Sequence, residues 1–434
     1  MFTDCSSTDR VIIQRVSDDV GMGVLAKRNI ASGERIYTDK PLVSIQHTAN
    51  RRFVNACQNC HVGLGSIRAQ ISQILSEERF QGIDLSCLPD TGKDIIYCGC
   101  GEIYCSIECA SEAFNKHHRF LCVSETGASS QAVSDFKFYC LSIEGCGDNL
   151  LLLAQLLCVL VRQSEASTDG FEKNIQHLLS YTNRPFHEVA RPPSGSDRDT
   201  EWIEWLETTI GEAFELLRIA LSPQHDIFSR FFSNKSEAFL VMSRLLAMFE
   251  LNNIDISIPS KLSETMKVLS TSVPLVPILR EKEVVMRLLW NDEARGIYEE
   301  EDGDEMDDEE EEEEEVMDES PEHHGCGDVD EMIEQVREQV SHLSLTELLD
   351  CEYPDFHGTG FFTSVARTNH SCEPNVGMDF DDGNAVVSCK ALRDMVPGQE
   401  LRMSYIARPE EKSVAVRQGQ LKDYLFDCRC SRCI

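Results

Sequence analysis

Four short runs with strand character open the chain: Val11-Ile12-Ile13, Val24-Leu25-Ala26, Arg35-Ile36-Tyr37 and Leu42-Val43-Ser44-Ile45, broken by Gly21, Gly23 and Gly33. From about residue 147 to 250 the apolar spacing lengthens to three and four. Leu206, Ile210, Phe214 and Leu217 then share one face of a predicted helix. The longest apolar run, Leu150–Val161, has twelve residues and includes Gln155. A membrane span needs about 20 such residues, so this run predicts a buried helix. Pro192 to Ser196 predicts a loop within the helical stretch. Helical spacing resumes at Met332–Leu349, and the final eighty residues return to short strands punctuated by glycine. No internal repeat is visible. The pattern predicts an α+β chain.

Charge changes the picture in one respect. The 434 residues, enough for two or three packed units, carry 40 basic and 75 acidic side chains, a net charge of −35. Residues 299–319 alone contribute seventeen carboxylates, which leaves −18 for the rest. The acidic stretch 299–327 is expected to be solvated and disordered, because like charges oppose compaction. A binder of phosphate backbones needs a basic face, so this balance argues against nucleic acid and favours basic protein partners. Hydrophobic residues at 41% suffice for a core.

Nineteen cysteines need a compartment before they can be interpreted. Met1 to Val16 lacks an apolar signal region, so metal is expected in preference to disulfides. Eleven of the nineteen fall into two tight clusters. The first reads Cys57-x2-Cys60, Cys98-x-Cys100-x4-Cys105-x3-Cys109 and His118-x3-Cys122. Seven thiols and one imidazole fill two tetrahedral zinc sites. Interleaving assigns Cys57, Cys60, Cys105 and Cys109 to one ion, and Cys98, Cys100, His118 and Cys122 to the other. His117 could stand in for His118, and Cys87 for Cys98.

The run Tyr104-Cys105-Ser106-Ile107-Glu108-Cys109, with His118 and Cys122, resembles the second half of a MYND finger. Such fingers are protein-interaction modules. Here the third and fourth ligands are one residue apart instead of two, and about 37 residues separate Cys60 from Cys98. The C-terminal region is more specific. Asn369-His370-Ser371-Cys372-Glu373-Pro374-Asn375, Gly398-Gln399-Glu400-Leu401-Arg402-Met403-Ser404-Tyr405 and the closing Cys428-Arg429-Cys430-Ser431-Arg432-Cys433 resemble the signature segments of a SET-domain lysine methyltransferase. Gly21-Met22-Gly23 sits where that family has its N-terminal GxG, and Gly358-Thr359-Gly360-Phe361-Phe362 resembles the strand before its NHSC segment. A SET domain split by a MYND finger characterises the SET-and-MYND family. An acidic tract, an irregular finger and no expected helical-repeat domain after the last cysteines look most like its atypical fifth member, although there the tract would be C-terminal.

The resemblance implies a β-rich SET domain with a pseudoknot, split by a MYND-like zinc finger and helical insertions, and closed by a zinc-binding post-SET tail. The expected segments are 1–50 for the N-terminal SET strands, 51–125 for the finger and 126–253 for a helical connector. A helical SET insert follows at 254–350, then the C-terminal SET core at 351–408 and the post-SET tail at 409–434. Cys372, Cys428, Cys430 and Cys433 form an expected third zinc site. Cys428 and Cys430 face one way in extended chain, and four thiolates leave no open coordination position, so the ion would be a structural clamp.

The implied cofactor is S-adenosylmethionine, held by Gly21, Met22, Gly23, Asn369, His370, Tyr405 and Phe426, the last on the adenine ring. Asn252 could be a further contact or an ordinary helix-end asparagine. Tyr405 is the implied catalytic residue, aligning amine and methyl, with Tyr424 beside it in the channel. Methyl transfer needs a neutral acceptor amine, although a free lysine has a pKa of about 10.4. A narrow apolar channel near a sulfonium charge favours proton loss. Expected substrates are basic proteins, histone or non-histone such as ribosomal ones. A monomer in nucleus and cytoplasm is expected, without direct nucleic-acid or membrane contact. The alternative is a non-catalytic adaptor that binds basic proteins through finger and acidic tract.

Overall fold

A computed structural model describes residues 9–17, 20–74, 95–124, 128–143, 145–165, 168–181, 184–190, 200–260 and 355–434. The acidic tract 299–319, the helical pattern at 332–349, the loop at 192–196 and Cys87 fall outside these residues. The four opening runs form β1 (Val11–Ser17), β2 (Gly21–Ala26), β3 (Arg35–Asp39) and β4 (Val43–Gln46). The finger carries α1 (Ile67–Ile74), β5 (Ile96–Tyr97), β6 (Ile103–Tyr104), α2 (Ile107–Ala113) and α3 (Arg119–Leu121). Then come seven helices: α4 (Ala128–Ser142), α5 (Gly147–Ser164), α6 (Thr168–Leu178), α7 (Phe186–Val189), α8 (Thr200–Leu221), α9 (Asp226–Phe231) and α10 (Lys235–Asn252). Strands return as β7 (Asn253–Ile258), β8 (Phe356–Phe361), β9 (Asn369–His370), β10 (Val376–Asp379), β11 (Val387–Ala391) and β12 (Glu400–Met403), followed by α11 (Val414–Leu421).

The apolar run at Leu150–Val161 lies inside α5, and ten of its twelve side chains are buried. No helix among the described residues is long and apolar enough to cross a membrane. Leu206, Ile210, Phe214 and Leu217 are buried along α8. One expectation needs correction. The insert expected to be helical from residue 254 begins as strand β7, which pairs antiparallel with β8 along its whole length. Ile254, Ile256 and Ile258 alternate with Asp255 and Ser257, a period of two that the expected helix overlooked.

N- and C-terminal strands interleave in each of the three larger sheets. The orders are β1-β2-β12-β9, β10-β11-β3 and β4-β8-β7, with β5-β6 as a hairpin in the finger. β9 and β12 run parallel, Arg402 opposite Asn369 and Met403 opposite His370, which draws the chain's C-terminal part across the NHSC segment. This is the crossing that the expected pseudoknot requires.

Two hydrophobic cores meet at β8. Phe361 points into the helical core, edge-on to Tyr181 and Phe249. The next residue, Phe362, points the other way into the sheet core beside Phe380. A Cβ on Gly358 would stand 2.3 Å from the Ile45 carbonyl oxygen, so only glycine lets β8 lie this close to β4. Phe361→Ala should therefore cost about 3–5 kcal/mol of stability, read as a lower urea midpoint. Truncating Phe138, 73% exposed on α4, should change the midpoint by less than about 0.5 kcal/mol equivalent.

Candidate active site

Asn369 and His370 enter the site from β9. The Asn369 amide donates to the Met22 carbonyl at 3.0 Å and to Glu400 Oε1 at 2.7 Å, tying the strand to Gly21-Met22-Gly23 at the start of β2. Glu400 is itself fixed by Arg402, whose Nε donates to Oε2 at 2.8 Å. His370 is buried, and burial, reinforced by Arg402, lowers its pKa to about 4, so the ring is neutral. Its Nδ1 accepts the Tyr405 backbone N–H at 3.0 Å. The proton therefore sits on Nε2, which lies 3.2 Å from Cys372 Sγ and donates to it.

Tyr405 sits at the centre of an aromatic cluster. Its ring lies 5.3 Å from His370, 5.1 Å from Tyr424 and 6.2 Å from Phe426, the last at a right angle. The Tyr405 hydroxyl donates to the Thr368 carbonyl at 2.9 Å, and Tyr424 donates to the Tyr405 carbonyl at 3.2 Å. Burial pushes the Tyr405 hydroxyl pKa up, and Tyr424 and Glu400 add to the shift. Tyr405 is thus a neutral phenol whose one proton is committed to the backbone. Its oxygen faces the site as an acceptor.

Two cavities meet at this point. The larger, about 1190 Å³, is lined by Gly21, Met22, Asn369, His370, Tyr405, Tyr424 and Phe426 among others. The smaller, about 180 Å³, includes Asp255, Asn253, Met403 and Ser404. Leu251, Asn252, Ala366, Tyr405 and Tyr424 line both and form the partition. A nucleotide-sized ligand fits the larger volume, while the smaller admits only a side chain.

Residues 206–406 match the family model of the SET domain. Along nearly its whole length the chain is similar to several proteins. It is 25% identical to the histone-lysine N-methyltransferase ATXR2 of Arabidopsis thaliana, over 96% of this chain and 88% of that one. It is 23% identical to the protein-lysine N-trimethyltransferase SMYD5 of Homo sapiens, over 98% and 86%. A SET and MYND domain-containing protein of Dictyostelium discoideum is 35% identical over 18% of this chain and 15% of its own. The chain carries a SET domain and is similar to SET-and-MYND lysine methyltransferases.

Three groups of ligand atoms, each drawn together within 4.8 Å, suit a metal ion. Cys57, Cys60, Cys105 and Cys109 form the first, Cys98, Cys100, His118 and Cys122 the second, and Cys372, Cys428, Cys430 and Cys433 the third. Sulfur separations of 3.4 to 3.9 Å within them match the edge of a tetrahedron with Zn–S bonds of about 2.3 Å. His118 completes the second group, its Nε2 3.3 Å from Cys98 Sγ, whereas His117 belongs to none of the three groups. Burial raises the Cys372 thiol pKa, and Cys433 and Cys428 push it further. Among the described residues the C-terminal tail has protein anchors too. Gln418 exchanges two bonds with the Cys428 backbone, at 2.7 and 2.9 Å, and buried Arg417 donates to the Arg432 carbonyl at 2.6 Å.

Other residues fall differently from expectation. Gly23 is absent from the cavity wall. A Cβ there would stand 2.9 Å from Glu400 Oε1 and 2.5 Å from Val16 Cγ2, so its absence lets the Asn369–Glu400 pair close over the strand. Asn252 both ends α10, donating to the Met248 carbonyl at 2.9 Å, and lines the partition. Sequence reasoning missed the cationic and aromatic part of the larger cavity. Arg367 stacks on Tyr181 with its guanidinium carbon 3.5 Å from the ring centroid and donates to Ser180 Oγ at 2.7 Å. Tyr181 lies far in sequence from every motif in the chain, and its packing on Phe361 and its bond to the Thr363 carbonyl bring it here. Glu400 and Arg402 stood inside a quoted motif and could have been found. Gly23→Ala should lower stability by about 1–3 kcal/mol through this overpacking, measured as a shift in thermal midpoint, with Gly63→Ala, where the space is open, as the neutral control.

Proposed function

We propose that the chain transfers a methyl group from S-adenosylmethionine to lysine side chains of basic proteins, histone or non-histone such as ribosomal ones. The observation that carries this reading is the partition at Tyr405 and Tyr424 between a ligand-sized cavity and a side-chain-sized one. The larger cavity suits an amphiphilic cofactor. Phe426, Met22 and Tyr181 offer apolar and aromatic surface, and Asn369, Arg367 and Arg402 offer polar groups. When bound, the cofactor supplies an electrophilic methyl on a cationic sulfur.

The chain's own residues do the rest. The smaller cavity orients an incoming lysine and limits water around it. Its committed phenols can accept an N–H from the amine but cannot protonate it, which preserves the lone pair needed for attack. Asp255 on the wall of that cavity, exposed on β7, and the net charge of −35 favour a cationic substrate. Tyr405 is the residue that aligns the amine. Zinc in the three cysteine-rich groups would be structural, because each already offers four protein donors.

Tyr405→Phe tests the catalytic part. It should fold normally and bind S-adenosylmethionine with affinity within about threefold, yet lose methyl transfer to lysine-rich proteins by about 100-fold or more. Labelled-methyl transfer with residue-level mapping is the measurement. Undiminished transfer, or label absent from lysine, would overturn the reading.

Elemental analysis tests the metals. Three zinc ions per chain are expected, and Cys433→Ser should lower the count by one. The same variant should weaken cofactor binding by releasing the tail that carries Phe426. A count near zero would remove the metal assignment.

A further inference from the structure

The Tyr405 hydroxyl is aligned by the Thr368 carbonyl, so whatever places Thr368 places the hydroxyl. Thr368 is fully buried at the end of a 3₁₀ turn, Val365–Arg367, and its N–H closes the turn on the Val365 carbonyl at 2.8 Å. The turn is gripped at both ends by one strand outside the site. At its start, buried Asp39 of β3 accepts the Ser364 N–H at 2.8 Å and the Val365 N–H at 3.3 Å through the same oxygen, Oδ2. At its end, the buried Tyr37 hydroxyl, two residues earlier on β3, lies 3.3 Å from Thr368 Oγ1. β3 in turn is locked antiparallel to β11, with Tyr37 opposite Cys389 and Asp39 opposite Val387. Neither Tyr37 nor Asp39 lines either cavity.

We propose that Asp39, assisted by Tyr37, is a positioning residue for methyl transfer, acting through the Val365–Arg367 turn and Thr368 on the Tyr405 hydroxyl. This rests on the assignment of Tyr405 above. A carboxylate bonded to backbone N–H groups is a strong, directional tether. It holds a turn whose far end supplies the one acceptor for the Tyr405 proton. Loosening it moves the Thr368 carbonyl and turns the phenol's lone pairs away from the amine. Alignment at the reacting atoms is steep in distance, whereas binding in the two cavities is spread over many contacts. The loss should therefore appear in kcat and hardly at all in KM.

The test is a double-mutant cycle between Asp39→Asn and Tyr405→Phe, with S-adenosylmethionine and a lysine-rich protein as substrates. Asp39→Asn alone should lower kcat about 10- to 100-fold, with both KM values within about threefold. In the Tyr405→Phe background it should lower kcat by less than about threefold, because the hydroxyl it aligns is gone. Equal losses in the two backgrounds would overturn the proposal, as would a loss confined to KM. Tyr37→Phe, which keeps the buried ring, carries the same cycle if Asp39→Asn does not fold, with a smaller kcat loss of about 3- to 10-fold that again vanishes without the Tyr405 hydroxyl. Wild-type turnover by Tyr405→Phe itself would instead refute the catalytic assignment and take this proposal with it.

Discussion

The parallel pairing of β9 with β12 is two residues long, yet every functional side chain depends on it. So short a pair is weak by itself, and parallel ladders are weaker than antiparallel ones. Side chains supply the difference. Asn375 accepts the Arg402 N–H at 2.7 Å and donates to the Glu400 carbonyl at 2.8 Å, completing the ladder beyond the strand. The Ser371 N–H reaches the Met403 carbonyl at 2.8 Å. His370 then extends the pairing in two directions, accepting from the Tyr405 backbone and donating to Cys372. One imidazole thus couples the aromatic cluster to the cysteine group that anchors the tail. Tyr405 and the C-terminal cysteine group share a hinge.

Which of this could be read in the amino-acid sequence follows from how local the signal is. The NHSC segment, the GxELxxSY strand and the spaced cysteines are local, and the chain places each in the neighbourhood its motif implies. The long helical stretch was legible because its apolar period persists over a hundred residues. β7 was legible in principle, since Ile254, Ile256 and Ile258 alternate cleanly, but a five-residue period of two is easily lost at the end of α10. Tyr181 and Asp39 were not legible at all. Each matters through a contact with residues more than 180 positions away, and no property of its own segment announces that partner.

The two cores explain why such distant contacts can be held firmly. The sheets alone are small and interleaved, and the helical core packs against them along β8, where adjacent Phe361 and Phe362 enter opposite cores. Tyr181 illustrates the consequence. Packed edge-on to Phe361, it donates to the Thr363 carbonyl at 2.9 Å and supports Arg367 by stacking. The Val365–Arg367 turn is therefore held by helices on one side and by β3 on the other.

That double grip bears on the chemistry of a methyl acceptor. A lysine amine attacks only when neutral, and a donor hydroxyl nearby would compete for its lone pair. Here the phenol protons of Tyr405 and Tyr424 both point at backbone carbonyls. Tyr405 resists ionisation because it is buried. The arrangement holds only while the carbonyls stay in place, since a phenol is free to rotate its proton toward any better acceptor. Rigid carbonyls are thus as much a part of the site as the rings. In this chain the Thr368 carbonyl is supplied by a turn pinned through buried Asp39, and the Tyr405 carbonyl by a backbone whose N–H is bonded to His370.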